Sequence, residues 1–212
     1  MKKLSILLAM FMLIGCSNTT QPKTENTVEK QSTEVAETKE QAEETIEVPA
    51  EEVDEAVGKV EESEIGKRTT VKSKKGINQT YESGPIFVTL KDVQIAEIEV
   101  DESAKEMFNN KDRVTAVIIA LSVENTSDET ISIYPDQGTI VTNTKEQKEA
   151  HIWFSDSVGG DFIGQVIKEG NVIFLLDSPA EEISHIKYVI GKPHDVNLDN
   201  RDWNDIVIEL DI

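Results

Sequence analysis

From Ser17 to about Glu64 the chain holds no aromatic residue, and its 15 acidic residues against 4 basic ones are mixed with Thr, Gln, Ala and Val. Such a stretch cannot bury enough apolar surface to offset the entropy lost on ordering, so a packed core has to come from the residues C-terminal to it. Val35, Ala36, Ala42 and Ile46, then Val53, Ala56, Val57 and Val60 beyond Pro49, have the spacing of a transient amphipathic helix that Pro49 interrupts. The expectation is a disordered acidic stalk with some helical character. A flexible chain of roughly sixty residues has a root-mean-square reach of about 40–45 Å, and like-charge repulsion lengthens it. Over the whole chain, 41 acidic residues stand against 21 basic ones for a net charge of -20. That balance argues against a counterion-releasing grip on nucleic acid and against a polybasic hold on anionic lipid.

Ahead of the stalk, Met1-Lys2-Lys3 is a short cationic start and Leu4 to Ile14 an apolar run. Its length, about eleven residues, is that of a signal-peptide core rather than of a membrane span of about 20. The run ends in Leu13-Ile14-Gly15-Cys16, which resembles a bacterial lipobox. The resemblance implies that residues 1–15 are a lipoprotein signal peptide and that Cys16 becomes the lipidated N-terminus, holding the chain on the extracytoplasmic face of the cell membrane. Two acyl chains anchor firmly where one is marginal. The plain alternative is a secretory signal that ends by chance in a cysteine. Cys16 is the only cysteine, which excludes a disulfide framework and a multi-cysteine zinc site.

Between Ile65 and Tyr81 the charge changes sign: Lys67, Arg68, Lys72, Lys74 and Lys75 face one nearby acid, Glu82. We read this as solvated linker, with a foothold on anionic wall polymer as the functional alternative, so residues 16–83 form the tether. Residues 84–212 have the composition of a β domain. Pro85 to Val93 is rich in β-branched and aromatic residues and continues in alternation through Ile95, Ile98 and Val100. Asp101 to Asp112 is a polar connection with room for a helical turn. Arg113 to Glu124 is the strongest strand, with Val117, Ile119, Leu121 and Val123 on one face and Val114, Ala116, Ile118 and Ala120 on the other, as befits the centre of a sheet covered on both sides.

Short strands are expected over Thr130 to Tyr134, Gly138 to Thr142, Ala150 to Phe154 and Phe162 to Val166, the last two around Gly159-Gly160. A turn at Glu169-Gly170 leads into Asn171 to Leu176, and His185 to Ile190 and Asp205 to Asp211 complete the set. About seven to nine strands at this turn spacing predict an all-β fold, an antiparallel β-sandwich. The segment Val123 to Ser127, Val-Glu-Asn-Thr-Ser, followed by a polar hairpin and by Gly170 ahead of Val172-Ile173-Phe174, is similar to the Ig-like, telokin-like domains of unknown function carried by lipoproteins of low-GC Gram-positive bacteria. The Pro common before that Gly is replaced here by Glu169. The resemblance implies an extracytoplasmic, non-catalytic Ig-like sandwich in which Asn-Thr-Ser starts the next strand and Gly170 is a turn device; it supplies no ligand.

Motifs with chemistry behind them are scarce. There is no Gly-rich phosphate loop, His-Glu-x-x-His or Gly-x-Ser-x-Gly. His151, His185 and His194 read as surface or satisfied side chains. Asp195, Asn197, Asp199 and Asp202 place oxygen ligands as in the start of a calcium loop, but Asn200 stands where the Gly belongs and Ile206 where the bidentate Glu belongs, so a polar loop is preferred and calcium is a cofactor to test. Of the aromatic residues, Trp153 is assigned to the core and Trp203, within the polar stretch Asn200 to Asp205, to a partly exposed contact surface. The resulting expectation is a membrane-anchored, non-catalytic binding module for an envelope protein or a wall or host ligand. The alternative is a small envelope hydrolase or calcium-dependent enzyme with its site in the Gly159-Gly160 or Asp195 to Asp205 loops.

Overall fold

The computed structural model describes residues 55–195 and 202–212. The expected signal peptide, Cys16 and the expected stalk as far as residue 54 lie outside the described residues, as do Asn197 and Asp199. Thirteen strands are described: β1 (Val60–Ser63), β2 (Gly66–Lys74), β3 (Gln79–Ser83), β4 (Ile86–Val100), β5 (Arg113–Asn125), β6 (Thr130–Ile133), β7 (Thr139–Thr142), β8 (Gln147–Glu149), β9 (Gly160–Ile163), β10 (Val166–Leu176), β11 (His185–Ile190), β12 (His194–Asp195) and β13 (Ile206–Asp211). Short 3-10 turns occupy Glu102–Phe108, Pro135–Gln137 and Ala180–Glu182. Every strand pairing is antiparallel.

One layer is a six-stranded sheet in the order β1-β2-β4-β5-β10, with β3 also paired to β4. The opposing layer consists of two smaller sheets, β13-β11-β7-β8 and β12-β6-β9. A single apolar cluster joins the layers: Val88, Leu90, Val93 and Ile95 of β4 and Val117, Ile119 and Leu121 of β5 pack with Ile131, Ile133, Ile140, Phe162, Tyr188 and Ile208. The molecule is therefore an all-β sandwich.

The long β4 fills this core by changing parity. Ile86, Val88 and Leu90 face inward, a bulge falls between Leu90 and Asp92, and the inward positions become Val93 and Ile95. The even positions Ala96, Ile98 and Val100 are thereby turned to the outer face. There they meet Val114 and Ala116 of β5 under Ala104 and Phe108, which the 3-10 turn over Glu102–Phe108 supplies. This small second core explains why β5 is apolar on both faces. The cover reaches only part of the strand, since Ile118 and Ala120 are half-buried.

The sheet starts earlier than the composition predicted. Residues 60–83, assigned to the tether, form β1, β2 and β3, and β2 and β3 share one edge of β4, pairing with its second and first halves respectively. Within β2 only Gly66 and Thr70 are buried, so the strand is held by backbone pairing and leaves no apolar alternation to read. Its cations are engaged within the domain. Lys67 lies 3.8 Å from Glu99, Arg68 pairs with Glu61, Lys72 Nζ donates to the Ile183 carbonyl at 2.5 Å, and Lys74 Nζ to the Asp211 carbonyl at 3.1 Å.

Two further expectations are corrected. Gly170 makes no turn: β10 runs unbroken through it, opposite Leu121. A Cβ there would lie 2.6 Å from Asp156 Cβ and 2.8 Å from Val158 Cγ1, so this glycine allows a neighbouring segment to approach the strand. Nor do residues 150–154 form a strand; they are part of that neighbouring segment. The Asn-Thr-Ser corner does lead from β5 toward β6, and it does so through a buried side chain. Asn125 Nδ2 donates to the carbonyls of Glu129 at 2.8 Å and Gly164 at 2.9 Å, while its Oδ1 accepts from the N–H and hydroxyl of Ser127.

Candidate functional site

The connection between β8 and β9 is tied down along its length. Its backbone lies on the outer edge of β10, with His151 N–H donating to the Ile173 carbonyl at 2.7 Å and Asp156 N–H to the Asn171 carbonyl at 2.8 Å. Side chains complete the edge: Ser155 Oγ accepts the Ile173 N–H at 2.9 Å, and Asp156 Oδ2 accepts the Asn171 N–H at 2.8 Å. These groups occupy backbone positions of β10 that a further strand would otherwise use.

Within the connection, the N–H groups of Phe154 and Ser155 both donate to the His151 carbonyl, closing a helix-like turn. Positions three apart in such a turn share a face. His151 and Phe154 accordingly face inward, stacked at 4.4 Å, and Phe154 stacks on Phe108 at 5.4 Å. The intervening pair is forced outward, leaving Ile152 63% and Trp153 85% exposed. The His151 ring is partly withdrawn from water, which pushes its pKa below the ordinary histidine value, and its Nδ1 is buried without a hydrogen-bond partner among the described residues.

Beside this exposed pair, the crown of the turn, lies a cleft of about 310 Å³, walled by Tyr134, Asp136 and Gln137 on one side and by Ile152, Ser155, Asp156, Ser157, Gly159 and Gly160 on the other. An adjoining hollow shares Asp136, Gln137 and Ile152 and adds Glu149 and Ala150. Tyr134, 38% exposed, comes directly after β6 and stacks against His194 of β12 at 6.1 Å. Asp136 sits in the Pro135–Gln137 turn; its Oδ2 accepts the Gly159 N–H at 3.3 Å, and its Oδ1 is buried with no hydrogen-bond partner among the described residues. Behind it the Tyr188 hydroxyl donates to the Pro135 carbonyl. Complete burial, with the Asp136 charge as a second cause, holds the Tyr188 pKa well above the ordinary phenol value. Lys168 reaches the same end of the sandwich, where its Nζ donates to the Gly159 carbonyl at 2.6 Å and lies 4.4 Å over the Phe162 ring.

Of the two tryptophans, Trp153, assigned to the core, is misplaced, while Trp203 keeps the partial exposure expected of it. Trp153 is the exposed one. Trp203 is partly buried against the core and covers the β3–β4 turn, where Gly84 has φ of +57° and a Cβ would lie 2.3 Å from the Trp203 ring. In the calcium candidate, Asp195 is 3% exposed within β12 and Asp202 is at the surface. Among the described residues no group of three or more His, Cys, Asp or Glu side chains is gathered as a metal requires. His185 opens β11 and pairs with Asp211 at 2.8 Å. Sequence reading missed Asp136 and Ile152; the spacing of His151 and Phe154 was the available sign of a turn that points Ile152 and Trp153 outward.

No protein-family profile matches the chain, and no curated protein matches it. Among solved structures, a functionally unknown protein from Listeria monocytogenes EGD-e is similar at TM-score 0.54 and 12% identity, covering 69% of this chain and 88% of that one. A conserved hypothetical protein from Bacillus anthracis aligns at TM-score 0.36 and 12% identity over 64% of this chain and 98% of its own. At that identity the Listeria protein shares the all-β fold with this chain, and the likeness extends no further.

Proposed function

We propose that this chain is an envelope lipoprotein, anchored through acyl chains on Cys16, whose acidic stalk presents an Ig-like sandwich for non-catalytic binding at the cleft beside Trp153. The observation that carries the binding reading is the crown itself. Ile152 and Trp153 are exposed on a segment fixed at both flanks to β10, so a large apolar surface faces solvent in a preset geometry. Aromatic side chains of this kind are enriched among the few residues that dominate binding energy. The lipid anchor rests on Leu13-Ile14-Gly15-Cys16 and on the apolar run before it.

Two experiments test the proposal separately. In cells expressing the full chain, Cys16→Ala is expected to move the protein out of the membrane pellet; retention there overturns the anchor. A photo-crosslinking aromatic residue at position 152 is expected to give a discrete crosslinked species in intact cells, while the same group at position 181, exposed elsewhere, gives none. Equal crosslinking from both positions overturns the assigned binding surface.

A further inference from the structure

We infer that the turn carrying Ile152 and Trp153 is an acid-sensitive element: a proton taken up by His151 expels its ring from the stack with Phe154, and the exposed pair loses the geometry that presents it. This rests on reading Ile152 and Trp153 as the binding surface and adds the regulation of that surface. The turn is held from inside by three rings in series. His151 stacks on Phe154 at 4.4 Å, Phe154 stacks on Phe108 at 5.4 Å, and Phe108, 2% exposed, belongs to the second core. Within this series His151 Nδ1 is buried without a hydrogen-bond partner among the described residues. A neutral imidazole carries a proton on one ring nitrogen, whereas an imidazolium donates from both. Proton uptake in place would therefore bury a charge and leave a donor without an acceptor, and each of these is costly away from water.

The surroundings add to that cost. His151 lines a hollow of about 200 Å³ whose charged residues are Lys111, Lys148 and Glu149, while β10 contributes only the apolar Leu175 and Leu176. Lys111 and Lys148 both pair with Asp177, and Lys148 lies 3.4 Å from Glu146. Both lysines oppose a third cation between them. Asp156, further along the same connection, is engaged with the Asn171 N–H at 2.8 Å. Glu149 is exposed, so its carboxylate favours a charged ring that has turned out to solvent. Burial, opposed only in part by the residue's own backbone, already holds the His151 pKa below the ordinary histidine value. The closed turn thus binds the proton less readily than the open one. Its stability is full above about pH 6.5, the ordinary histidine value, and falls as pH drops below it. Opening one turn takes less free energy than unfolding the sandwich, so the release is local.

The test uses the full chain in detergent with fluorine-labelled tryptophans, followed by fluorine NMR from about pH 8 to about pH 5.5, above the carboxylate range. The Trp153 resonance is expected to move with a one-proton midpoint below about 6.5, and the Trp203 resonance to stay. Hydrogen exchange at the Phe154 and Ser155 amides, corrected for its intrinsic pH dependence, should rise about tenfold or more over the same range. His151→Phe keeps a ring in the stack without a titrating nitrogen and is expected to abolish both changes. His194→Gln removes the histidine stacked on Tyr134 and should leave both in place. Should His151→Phe fail to fold, Lys148→Gln decides: loss of that cation is expected to raise the midpoint, and an unchanged midpoint overturns the inference. Titration of the His151 ring with Trp153 unmoved shows protonation in place and overturns it. A Trp153 transition that survives His151→Phe, or that vanishes in His194→Gln, overturns it as well. No partner enters these readouts, so the switch and the binding surface tested by crosslinking at position 152 fail separately.

Discussion

Asn125 shows how one polar side chain fixes a corner. It is fully buried at the end of β5, and its amide serves three carbonyls and one serine that belong to the turn after β5, to β9 and to the turn after β9. Removing it leaves those carbonyls, one buried and two partly buried, without their donor, so Asn125→Ala is expected to lower unfolding free energy by roughly 3 kcal/mol in denaturant titration. Tyr188 has a different signature. Its folded pKa is raised by burial and by Asp136, so the native state holds the phenol proton more tightly than the unfolded chain. The stabilisation is complete below about pH 10, the unfolded phenol value, and is lost as pH rises above it. Tyr188→Phe should therefore cost about 1 kcal/mol at neutral pH, through the lost bond to the Pro135 carbonyl, and flatten the alkaline limb of a stability–pH curve. An unchanged alkaline limb would assign that limb to other groups.

At the scale of elements, β10 and the connection before β9 form one unit. The strand's outer edge is closed by Ser155 and Asp156 side chains and by two backbone bonds, and Gly170 supplies the space that lets the connection lie so close. This protects an edge that would otherwise invite pairing with another chain. Asp156→Ala should speed hydrogen exchange at the Asn171 amide by an order of magnitude or so while leaving the amides of β5 as protected as before. Equal loss of protection throughout the sheet would show that the cap carries global stability. The cap also sets the direction of Ile152 and Trp153, so the same segment closes a strand edge and presents the crown.

For the whole molecule, the consequential boundary is the N-terminal one. A fragment beginning at residue 84 lacks β1, β2 and β3 and leaves the full edge of β4 open, with Trp203 deprived of the β3 side of its turn. A fragment of residues 55–212 is expected to unfold cooperatively and remain monomeric, and the 84–212 fragment to aggregate or unfold at lower temperature; thermal melts with light scattering compare them directly. Equal melting would reassign β1 to β3 as an appendage. The crown and cleft lie on the opposing layer's connections, far in sequence from these first strands, so binding should track folding in both fragments.

Several features were legible without coordinates because they depend on neighbours in sequence. The β-branched alternation of β4 and β5, the polar connection with a helical turn between them, and β11 and β13 all derive from local periodicity. The expected export signal and lipidated Cys16 rest on the sequence alone and lie outside the described residues. Tertiary structure alone decided the rest. β2 and β3 are strands because β4 offers its edge, a backbone interaction that leaves no mark on their side-chain pattern. Gly170 is a point of close approach because a segment some fifteen residues earlier returns to it, as the Asn171–Asp156 bond shows. Trp153 points out because Phe154, in the same turn, stacks on Phe108, and Trp203 is partly covered because it lies on Gly84; both are long-range contacts, and hydrophobicity by itself cannot say which of two tryptophans finds a partner.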